Sequence, residues 1–539
     1  MITDIESLIA RNRARWEEAR EEAENGPAIL IATTVTGFSH VALLEAVLAV
    51  ALTLRGARVH MLACDRALPA CLKAESHSVP DPAAIADYAI KDLICGPCVA
   101  LGRQLFDPLG LPVSRLGSLI TAEESRAAEE ISRAIPAEGL PAYRHDGIAV
   151  GEHAYAGALR YFGRGDIAGQ AAGEVVVRRY LEASLRTVFA VRRLLAENDF
   201  HSACFHHGIY VPQGLIGEVC RAAGLPLSNW NPSYRQNTFI FSHGDTYHHT
   251  LLEEPVESWK GMDWSEERER NIMDYLATRR VGTRDWIWFH EKPDEDFKAF
   301  AARQGLDLAK PIVGLLTNVI WDAQLHYRAN AFANIVEWVI RTIAYFRDRP
   351  DLQLLIRIHP AEIRGTAPSH QPMMGEIEKA FAELPENVFV IPPESPVSTY
   401  AAMEHCDSVL IYGTKMGVEL TSIGIPVICA GEAWIRNKGL SLDASTAEEY
   451  FRHLDALPMN ARLNADTTRE ARKYAYHFFF RRMVPLPFLV PGKKIYDLDL
   501  ESIGDLVPGR LPGLDVICEG ILEGTPYIYP AEKIGLHDR

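Results

Sequence analysis

The residues Leu354-Leu355-Ile356-Arg357-Ile358-His359-Pro360 combine an apolar run with a polar end. A second apolar run, Ser408 to Tyr412, leads into the loop Gly413-Thr414-Lys415-Met416-Gly417-Val418-Glu419, and a third covers Pro426 to Ala430. Short apolar runs of this kind predict the buried strands of a parallel α/β sheet. Loops at the carboxyl ends of neighbouring parallel strands meet in one crevice, so we expect the two polar loops to face one bound molecule.

Both loops carry side chains that suit a phosphate ester. Pro360 fixes the direction of the chain and holds His359 at the strand tip, where an imidazole can donate to a phosphate oxygen and its protonation would offset the charge. Gly413 permits close backbone approach, and Thr414 offers a hydroxyl and an N–H at a helix N-terminus. Glu419 is expected to accept from the two hydroxyls of a ribose. The alternative interpretations are structural: His359 would be a capping histidine, and Glu419 would be a surface acid in the first turns of a helix.

The same strand, polar loop and helix order precedes this stretch and also occurs in the N-terminal half. A strand at Ile312 to Leu316 ends in a loop from Thr317 to Asp322. Near the N-terminus a strand at 28–33 opens into Gly37-Phe38-Ser39-His40, and a strand at 203–206 ends in His206 and His207. These patterns predict βαβ units with right-handed crossovers. The polar and aromatic segment from Asn231 to His249 is interpreted as a binding loop.

A chain of 539 residues is longer than one hydrophobic core can organise, which favours two domains and an extension. We predict an N-terminal Rossmann-like domain with a helical insertion, a C-terminal Rossmann-like domain, and a helix and tail that pack back on the first domain. Their ranges are 1–295, 296–465 and 466–539. The aromatic and basic residues between Thr467 and Lys494 also allow a membrane-surface helix, but their apolar content favours packing on the body.

Composition restricts the class of function. Lys and Arg number 55 against 71 Asp and Glu, and a net charge of -16 argues against nucleic acid as a partner. The first residues lack the apolar segment of a secretory signal, and no uncharged apolar stretch reaches the ~20 residues that span a bilayer. We therefore expect a cytoplasmic protein. Peripheral association with the inner face of the membrane, or with a synthesis complex, is compatible with this expectation.

Four of the nine cysteines lie between Cys64 and Gly102. Cys95 and Cys98 have the two-residue gap of a metal-binding turn, whereas Cys64 and Cys71 have a six-residue gap. One interpretation is a structural zinc bound by all four, and the other is a set of buried or surface thiols.

The motifs of the second half resemble a known family. His359-Pro360, Ser398-Thr399-Tyr400, the run from Asp407 to Thr414, Gly417, Glu419 and Pro426-Val427-Ile428 are similar to the capsule polysaccharide biosynthesis group of GT-B glycosyltransferases. That group includes bacterial Kdo transferases, and its His-Pro and Ser/Thr motifs are similar to those of GT-B sialyltransferases. The resemblance covers Ile312 to about Leu457. Gly413-Thr414 departs from the Ser-Ser or Ser-Thr of many relatives, which leaves one hydroxyl for the phosphate.

The resemblance implies a GT-B-like α/β fold with two Rossmann-like domains facing across a cleft, and a sugar donor bound through its phosphate by His359 and Thr414. The candidate donor-binding residues are Asn318, Arg357, His359, Pro360, Gly413, Thr414, Lys415, Gly417 and Glu419. The candidate bases, which would take the proton of an acceptor hydroxyl, are first His40, then His206 and His207, and third Asp322. For each of these residues, a purely structural role is at least as good an interpretation as a catalytic one.

The expected function is transfer of a sugar from a nucleotide-activated donor, for which a CMP-linked sugar is one option, to a carbohydrate or glycolipid acceptor in surface polysaccharide synthesis. No metal is required for catalysis if these side chains offset the phosphate charge, and no Asp-x-Asp pair stands at a strand end. Two alternatives remain open: a polyol-phosphate transferase of the teichoic-acid type, and a non-catalytic scaffold that binds nucleotide sugars. Sugar-nucleotide epimerases require a carboxylate cluster that the sequence does not provide.

Overall fold

The computed structural model describes residues 2–286, 292–322, 328–365, 368–459, 461–492 and 495–536. In this part of the chain, two mostly parallel sheets are each covered by helices, and a small antiparallel sheet joins the two ends of the chain. The predicted α/β class with two Rossmann-like domains is confirmed.

The first sheet belongs to the N-terminal half. Its central strand, Ala28–Thr34, is buried at every position and pairs in parallel with a strand on each side. The described strands, in spatial order, are Val484–Pro485, Thr238–His243, Leu227–Pro232, Ser202–His206, Ala28–Thr34, Arg58–Ala63 and Val113–Arg115. Thr238–His243 runs antiparallel to Leu227–Pro232, so the segment interpreted as a binding loop contains a sheet strand whose phenylalanines are buried.

The second sheet carries the motifs of the phosphate-binding hypothesis. All of its described strands pair in parallel, in the order Val388–Ile391, Gln353–Arg357, Ile312–Leu316, Ser408–Ile411, Val427–Cys429 and Leu442–Asp443. Helix Ile335–Arg347 packs on it through a stripe that includes Trp338 and Phe346, while Val336 and Ile340 are only partly buried. The strand Gln353–Arg357 ends two residues before His359, one residue short of the predicted apolar run from Leu354 to Ile358.

Helices cover both sheets and connect them. The helices of the N-terminal half and the connection are Ile5–Arg11, Arg13–Glu22, Ser39–Thr53, Ala83–Ala86, Gly96–Phe106, Ala122–Ala134, Val150–Phe162, Gly173–Glu197, Gln213–Ala222, Tyr247–Glu253, Glu257–Lys260, Glu266–Arg279 and Phe297–Gln304. Those after it are Ile335–Arg347, Ala361–Arg364, Met373–Ala380, Thr399–Glu404, Met416–Ser422, Ala447–Asp455, Ala465–Tyr476, Pro512–Glu523 and Ala531–Ile534. Two π-helical segments are Lys91–Cys95 and His477–Arg481.

The C-terminal chain returns to the N-terminal half. Helix Ala465–Tyr476 packs against Met416–Ser422 and Glu266–Arg279, and Val484 then pairs with Phe239 at the edge of the first sheet. Helix Pro512–Glu523 packs on the same sheet. Strands Leu489–Gly492, Ile495–Asp499 and Ile2–Thr3 form the small antiparallel sheet. The return predicted for the C-terminal helix is therefore part of the fold.

The aromatic tail faces the protein interior. Phe478, Phe479 and Phe480 expose 1%, 0% and 1% of their surface, so no apolar face is left there for a membrane. Within the described ranges, no helix is both long enough and apolar enough to cross a bilayer.

Candidate functional site

His359 is held in one orientation by backbone contacts. Its own N–H donates to Thr317 Oγ1 at 2.9 Å, and the N–H of Ala361 donates to His359 Nδ1 at 3.1 Å. A neutral imidazole that accepts at Nδ1 carries its proton on Nε2 and donates there. Burial, with help from Lys415 and Arg357, lowers the pKa of His359 to about 3. Removing the ring from water disfavours its charged form, so His359 contributes as a neutral donor.

Two cavities meet at this histidine. The first, which we call the inner cavity, lies at the carboxyl ends of the second sheet's strands and reaches the connecting segment after Glu266–Arg279. It is lined by Arg279, Arg280, Gly282, Asp285, Pro293, Leu316, Thr317, Arg357, His359, Pro360, Ser398, Thr399, Tyr400, Thr414, Lys415 and Met416. The charged side chains of this wall are mostly cationic, which suits an anionic ligand.

The second cavity, which we call the cleft cavity, lies between the two sheets. It is lined by Tyr234, Tyr247, His248, Asn318, Val319, Asp322, Asn330, His359, Tyr412, Gly413, Thr414, Lys415, Glu432 and Trp434. Tyr247 stacks on Trp434, with ring centroids 5.6 Å apart and planes 27° apart. Sugars bind to surfaces that combine aromatic rings with amides and carboxylates. The face of a sugar ring is apolar and packs on the aromatic ring, whereas the hydroxyls at its edge are polar.

His359, Thr414 and Lys415 line both cavities. The two loops that are distant in sequence therefore converge, as the positions of their strands led us to expect. The structure also brings Asn318, Gly413 and Asp322 to the cleft cavity and Arg357 and Pro360 to the inner cavity.

Lys415 supplies positive charge at the junction. Its Nζ lies 3.8 Å from Glu419 Oε1 and 4.9 Å from the centroid of the Tyr234 ring. Burial, then Arg279, lowers the pKa of Lys415 to about 8, against the opposite effects of Glu419 and Asp285. Near neutral pH the ammonium is still mostly charged, and it loses its proton in a range where ordinary lysines keep theirs.

Glu419 lies behind the cavity wall. Tyr400 donates to Glu419 Oε2 at 2.5 Å, and Arg279 Nε lies 3.1 Å from the same oxygen. Burial raises the pKa of this carboxyl, but Arg279 and Lys415 lower it by more, so it stays ionised. Glu419 is not in the wall of either cavity, so the predicted ribose contact is not among its contacts here. The structure instead gives it the task of holding two cations, Arg279 and Lys415, at the wall of the inner cavity.

Two further donor-binding candidates have structural contacts. Arg357 is 1% exposed and donates to Pro392 O at 2.5 Å and Thr399 Oγ1 at 3.2 Å, so it fixes the loop after Val388–Ile391. A Cβ on Gly417 would lie 2.7 Å from Ile411 Cδ1, so this glycine lets its helix pack on the sheet. Neither contact places these residues on a ligand.

Of the candidate bases, only Asp322 lines one of the two cavities. It is exposed, and Tyr210 donates to its Oδ1 at 2.8 Å across the gap between the halves. His206 and His207 lie behind Tyr210, with the His207 and Tyr210 ring centroids 4.9 Å apart. Burial lowers the pKa of His40 to about 4. His40, His206 and His207 are not in the wall of either cavity.

Several residues of the site have no motif in the sequence. Arg279 and Asp285, whose Nη1 and Oδ2 are 2.6 Å apart, come from the connection that we read only as helical. Glu432 and Trp434 follow the strand Val427–Cys429 and enter the cleft cavity. The aromatic density of the segment from Asn231 to His249 was the available signal for Tyr234, Tyr247 and His248.

The four cysteines of the proposed zinc site line a separate cavity in the N-terminal half. Among the described residues, however, no group of three or more His, Cys, Asp and Glu side chains is placed so that it could hold one metal ion. The arrangement therefore gives no support to a single zinc ion.

No protein-family model and no curated protein matches the chain. Among solved structures it is similar to KpsC of Thermosulfurimonas dismutans, a beta Kdo 2,4 transferase, with 13% identity over 57% of this chain and 87% of that chain and a TM-score of 0.33. It is also similar to a UDP-GlcNAc 2-epimerase from Neisseria meningitidis bound to UDP-GlcNAc (9% identity, 83% and 95% covered, TM-score 0.23). A third is the calicheamicin glycosyltransferase CalG4 (12% identity, 84% and 94% covered, TM-score 0.24). Similarity this low carries no inference about activity.

Proposed function

We propose that the protein is a glycosyltransferase that moves a sugar from a nucleotide-activated donor to a carbohydrate or glycolipid acceptor. One observation carries the proposal: His359, Thr414 and Lys415 stand where the inner cavity and the cleft cavity meet. A nucleotide sugar has the same layout, with a nucleoside at one end, a sugar at the other and phosphate between them. The nucleoside is assigned to the inner cavity and the sugar to the cleft cavity.

The phosphate binds through neutral and charged donors together. Nε2–H of His359 donates to one phosphate oxygen and the Thr414 hydroxyl to another, while the Lys415 ammonium offsets the charge. Such donors stabilise the leaving group more as its negative charge grows, which lowers the barrier. These groups are offered as the replacement for a divalent cation, and retention of activity in excess chelator tests that assignment.

The reaction then needs one proton acceptor on the cleft side. Asp322 takes the proton of the acceptor hydroxyl, and that oxygen forms a bond to the anomeric carbon of the sugar. The bond between the anomeric carbon and the phosphate oxygen breaks, and its electron pair leaves with the nucleotide. Tyr210 donates to Asp322 Oδ1 at 2.8 Å and so positions the carboxylate that takes the proton.

A capsular or other surface polysaccharide as the product, CMP as the nucleotide, and a cytoplasmic site of action at the inner membrane face are parts of the same proposal. They rest on the motif resemblance at His359-Pro360 and around Thr414. A polyol-phosphate transferase is the second candidate, since the junction would hold the phosphate of that donor equally well.

The test has two stages. Thermal-shift measurements with CMP, UDP, GDP and CDP compounds identify the nucleotide, because a ligand that binds only the folded state raises the melting temperature. The matching nucleotide sugars are then incubated with carbohydrate acceptors, and mass spectrometry measures the product. An acceptor that gains a sugar supports the proposal. Three other outcomes would contradict the proposal. An acceptor that gains a polyol phosphate would indicate the second candidate, an epimerised donor with no transfer would indicate an epimerase, and binding without turnover of any donor would indicate a scaffold.

His359→Ala and His77→Ala form a matched pair for this assay. His77 is an exposed histidine outside both cavities, with 51% of its side chain accessible. Transfer that falls in the first variant and persists in the second assigns the loss to the junction, provided that both variants keep the wild-type circular dichroism spectrum.

A further inference from the structure

Four cysteines from separate segments line one small cavity beside the first sheet. Cys64 follows the strand Arg58–Ala63, Cys71 lies in the next loop, Cys95 ends the π-helical segment, and Cys98 is in the first turn of Gly96–Phe106. All four are free thiols, and together they make up four of the ten lining residues. The five other cysteines are buried, and none of them lines this cavity.

The sulfur atoms are surrounded by backbone donors. Gly37 N–H donates to Cys98 Sγ at 3.0 Å. The N–H groups of Arg66 and Ala67 donate to the sulfur of Cys64, and the N–H of Lys73 donates to that of Cys71. Arg66 adopts a φ of 73°, a left-handed conformation that is strained for a residue with a side chain. Donors aimed at sulfur stabilise a thiolate and are typical of sulfur atoms that bind metal.

The charges around the cavity point the same way. Lys73 and Arg66 line it, and the other lining residues besides the cysteines are apolar. Four thiolates in an apolar pocket need a multivalent cation among them, because two side-chain cations do not offset four negative charges. Metal binding is the general way to keep such sulfurs ionised.

Two kinds of metal centre take four thiolate ligands: a single zinc ion and an iron–sulfur cluster. Zn–S bonds of about 2.3 Å would bring four sulfurs onto one small tetrahedron. Among the described residues, no such single-ion group exists. In an iron–sulfur cluster the four sulfurs bind different irons, or two irons in pairs, so they stand further apart while sharing one cavity. We propose that Cys64, Cys71, Cys95 and Cys98 bind an iron–sulfur cluster.

The cluster would have a structural task. Thr36 Oγ1 donates to the carbonyl oxygen of Cys98 at 2.5 Å, and Gly37 donates to its sulfur. A Cβ at Gly37 would stand 3.2 Å from that sulfur, so a glycine allows the close approach. The metal centre thereby anchors the loop that leads into helix Ser39–Thr53. This role is independent of the proposed glycosyl transfer and involves no electron transfer.

The test uses the full chain purified without oxygen and reconstituted with ferrous iron and sulfide. We expect iron and acid-labile sulfide in equal amounts, about two or about four of each per chain, and a Mössbauer spectrum of thiolate-bound cluster iron. Cys95→Ala/Cys98→Ala should lower the iron content at least ~10-fold, since two of the four ligands are gone. Cys220→Ala, which removes a buried thiol outside the cavity, should keep the wild-type iron content.

The Mössbauer spectrum of the unmodified chain decides the matter even if the double variant fails to fold. Iron below about a tenth of an atom per chain after reconstitution would overturn the proposal. So would one zinc ion per chain with four sulfur ligands, measured by X-ray absorption. Equal iron loss in Cys220→Ala and in the double variant would also count against these four ligands.

Discussion

Ala361 donates its backbone N–H to Nδ1 of His359 at 3.1 Å, and this contact sets which ring nitrogen faces a ligand as a donor. The backbone N–H of His359 donates to Thr317 Oγ1 at 2.9 Å, which ties the loop carrying the ring to the end of the neighbouring strand. A neutral histidine with a fixed Nε2–H binds phosphate over a wide pH range, because no protonation step is needed first.

We expect His359→Ala to lower kcat about 10²–10³-fold, the usual cost of one donor to a developing negative charge. His359→Gln should recover part of the loss, since its terminal amide can donate from a similar place. The measurement is the initial rate of sugar transfer, with His77→Ala as the control. Equal rates for the alanine and wild-type enzymes would remove His359 from the mechanism.

Lys415 gives the site a pH dependence. With a pKa of about 8, its ammonium loses the proton as pH rises, and each pH unit above that value lowers the charged fraction about tenfold. We expect kcat/KM for the donor, which reports the free enzyme, to fall above pH 8. Lys415→Met should be less active at pH 7 and should lose this dependence. Lys379→Met, a change at a side chain that is 69% exposed, should keep the wild-type profile.

Asp322 is the expected base. Asp322→Asn should lower kcat about 10²–10⁴-fold with little change in nucleotide affinity, because the amide cannot take a proton. Tyr210→Phe should have a smaller effect, since it removes only the group that orients Asp322. Glu432 is the rival carboxylate in the same cavity. A large loss in Glu432→Gln with an active Asp322→Asn would move the base to Glu432.

Arg279 and Glu419 should stabilise the two halves against each other. Glu419→Gln leaves a buried guanidinium with a weaker partner, and we expect the free energy of unfolding to fall by about 3–5 kcal/mol. Arg280→Met breaks exposed pairs with Glu295 and Glu404 and should cost about 1 kcal/mol or less. Urea denaturation measures both, and equal losses would contradict the buried-pair account.

The carboxyl of Glu419 also makes the free energy of unfolding depend on pH. The pKa of Glu419 is lower in the folded protein than its ordinary value of 4.5, so the folded state binds this proton less readily than the unfolded state. Its contribution is fully present above pH 4.5 and is lost as pH falls through the folded pKa. Glu419→Gln should therefore lose less stability than the wild type between pH 6 and pH 3.

Local sequence was sufficient for the strands and for the convergence of His359 with Thr414. Buried apolar runs fix parallel strands, and parallel strands bring their carboxyl-end loops together. The contacts of the loop side chains were harder to predict from the sequence. Glu419 has the spacing of a ribose ligand, yet Arg279 from a distant helix holds it, and no local pattern encodes a partner 140 residues away.

The histidines show the same limit. His40 and His206 lie at or just after strand ends, where ligands commonly bind, but tertiary packing takes both out of the cavity walls, whereas Asp322 lines the cleft cavity. The protonation state of His359 also depends on burial by the folded chain rather than on its neighbours in sequence. The Cys95 and Cys98 spacing signalled a metal-binding turn, whereas the distances that distinguish one ion from a cluster exist only in three dimensions.

The central claim is that one phosphate group sits between His359 and Thr414, and a crystal structure with the bound nucleotide tests it most directly. The nucleotide is the one that raises the melting temperature most. We expect a phosphate oxygen within hydrogen-bonding distance of His359 Nε2 and another near the Thr414 hydroxyl, with the nucleoside in the inner cavity. A nucleotide bound elsewhere, with both side chains left in contact with solvent, would contradict the account.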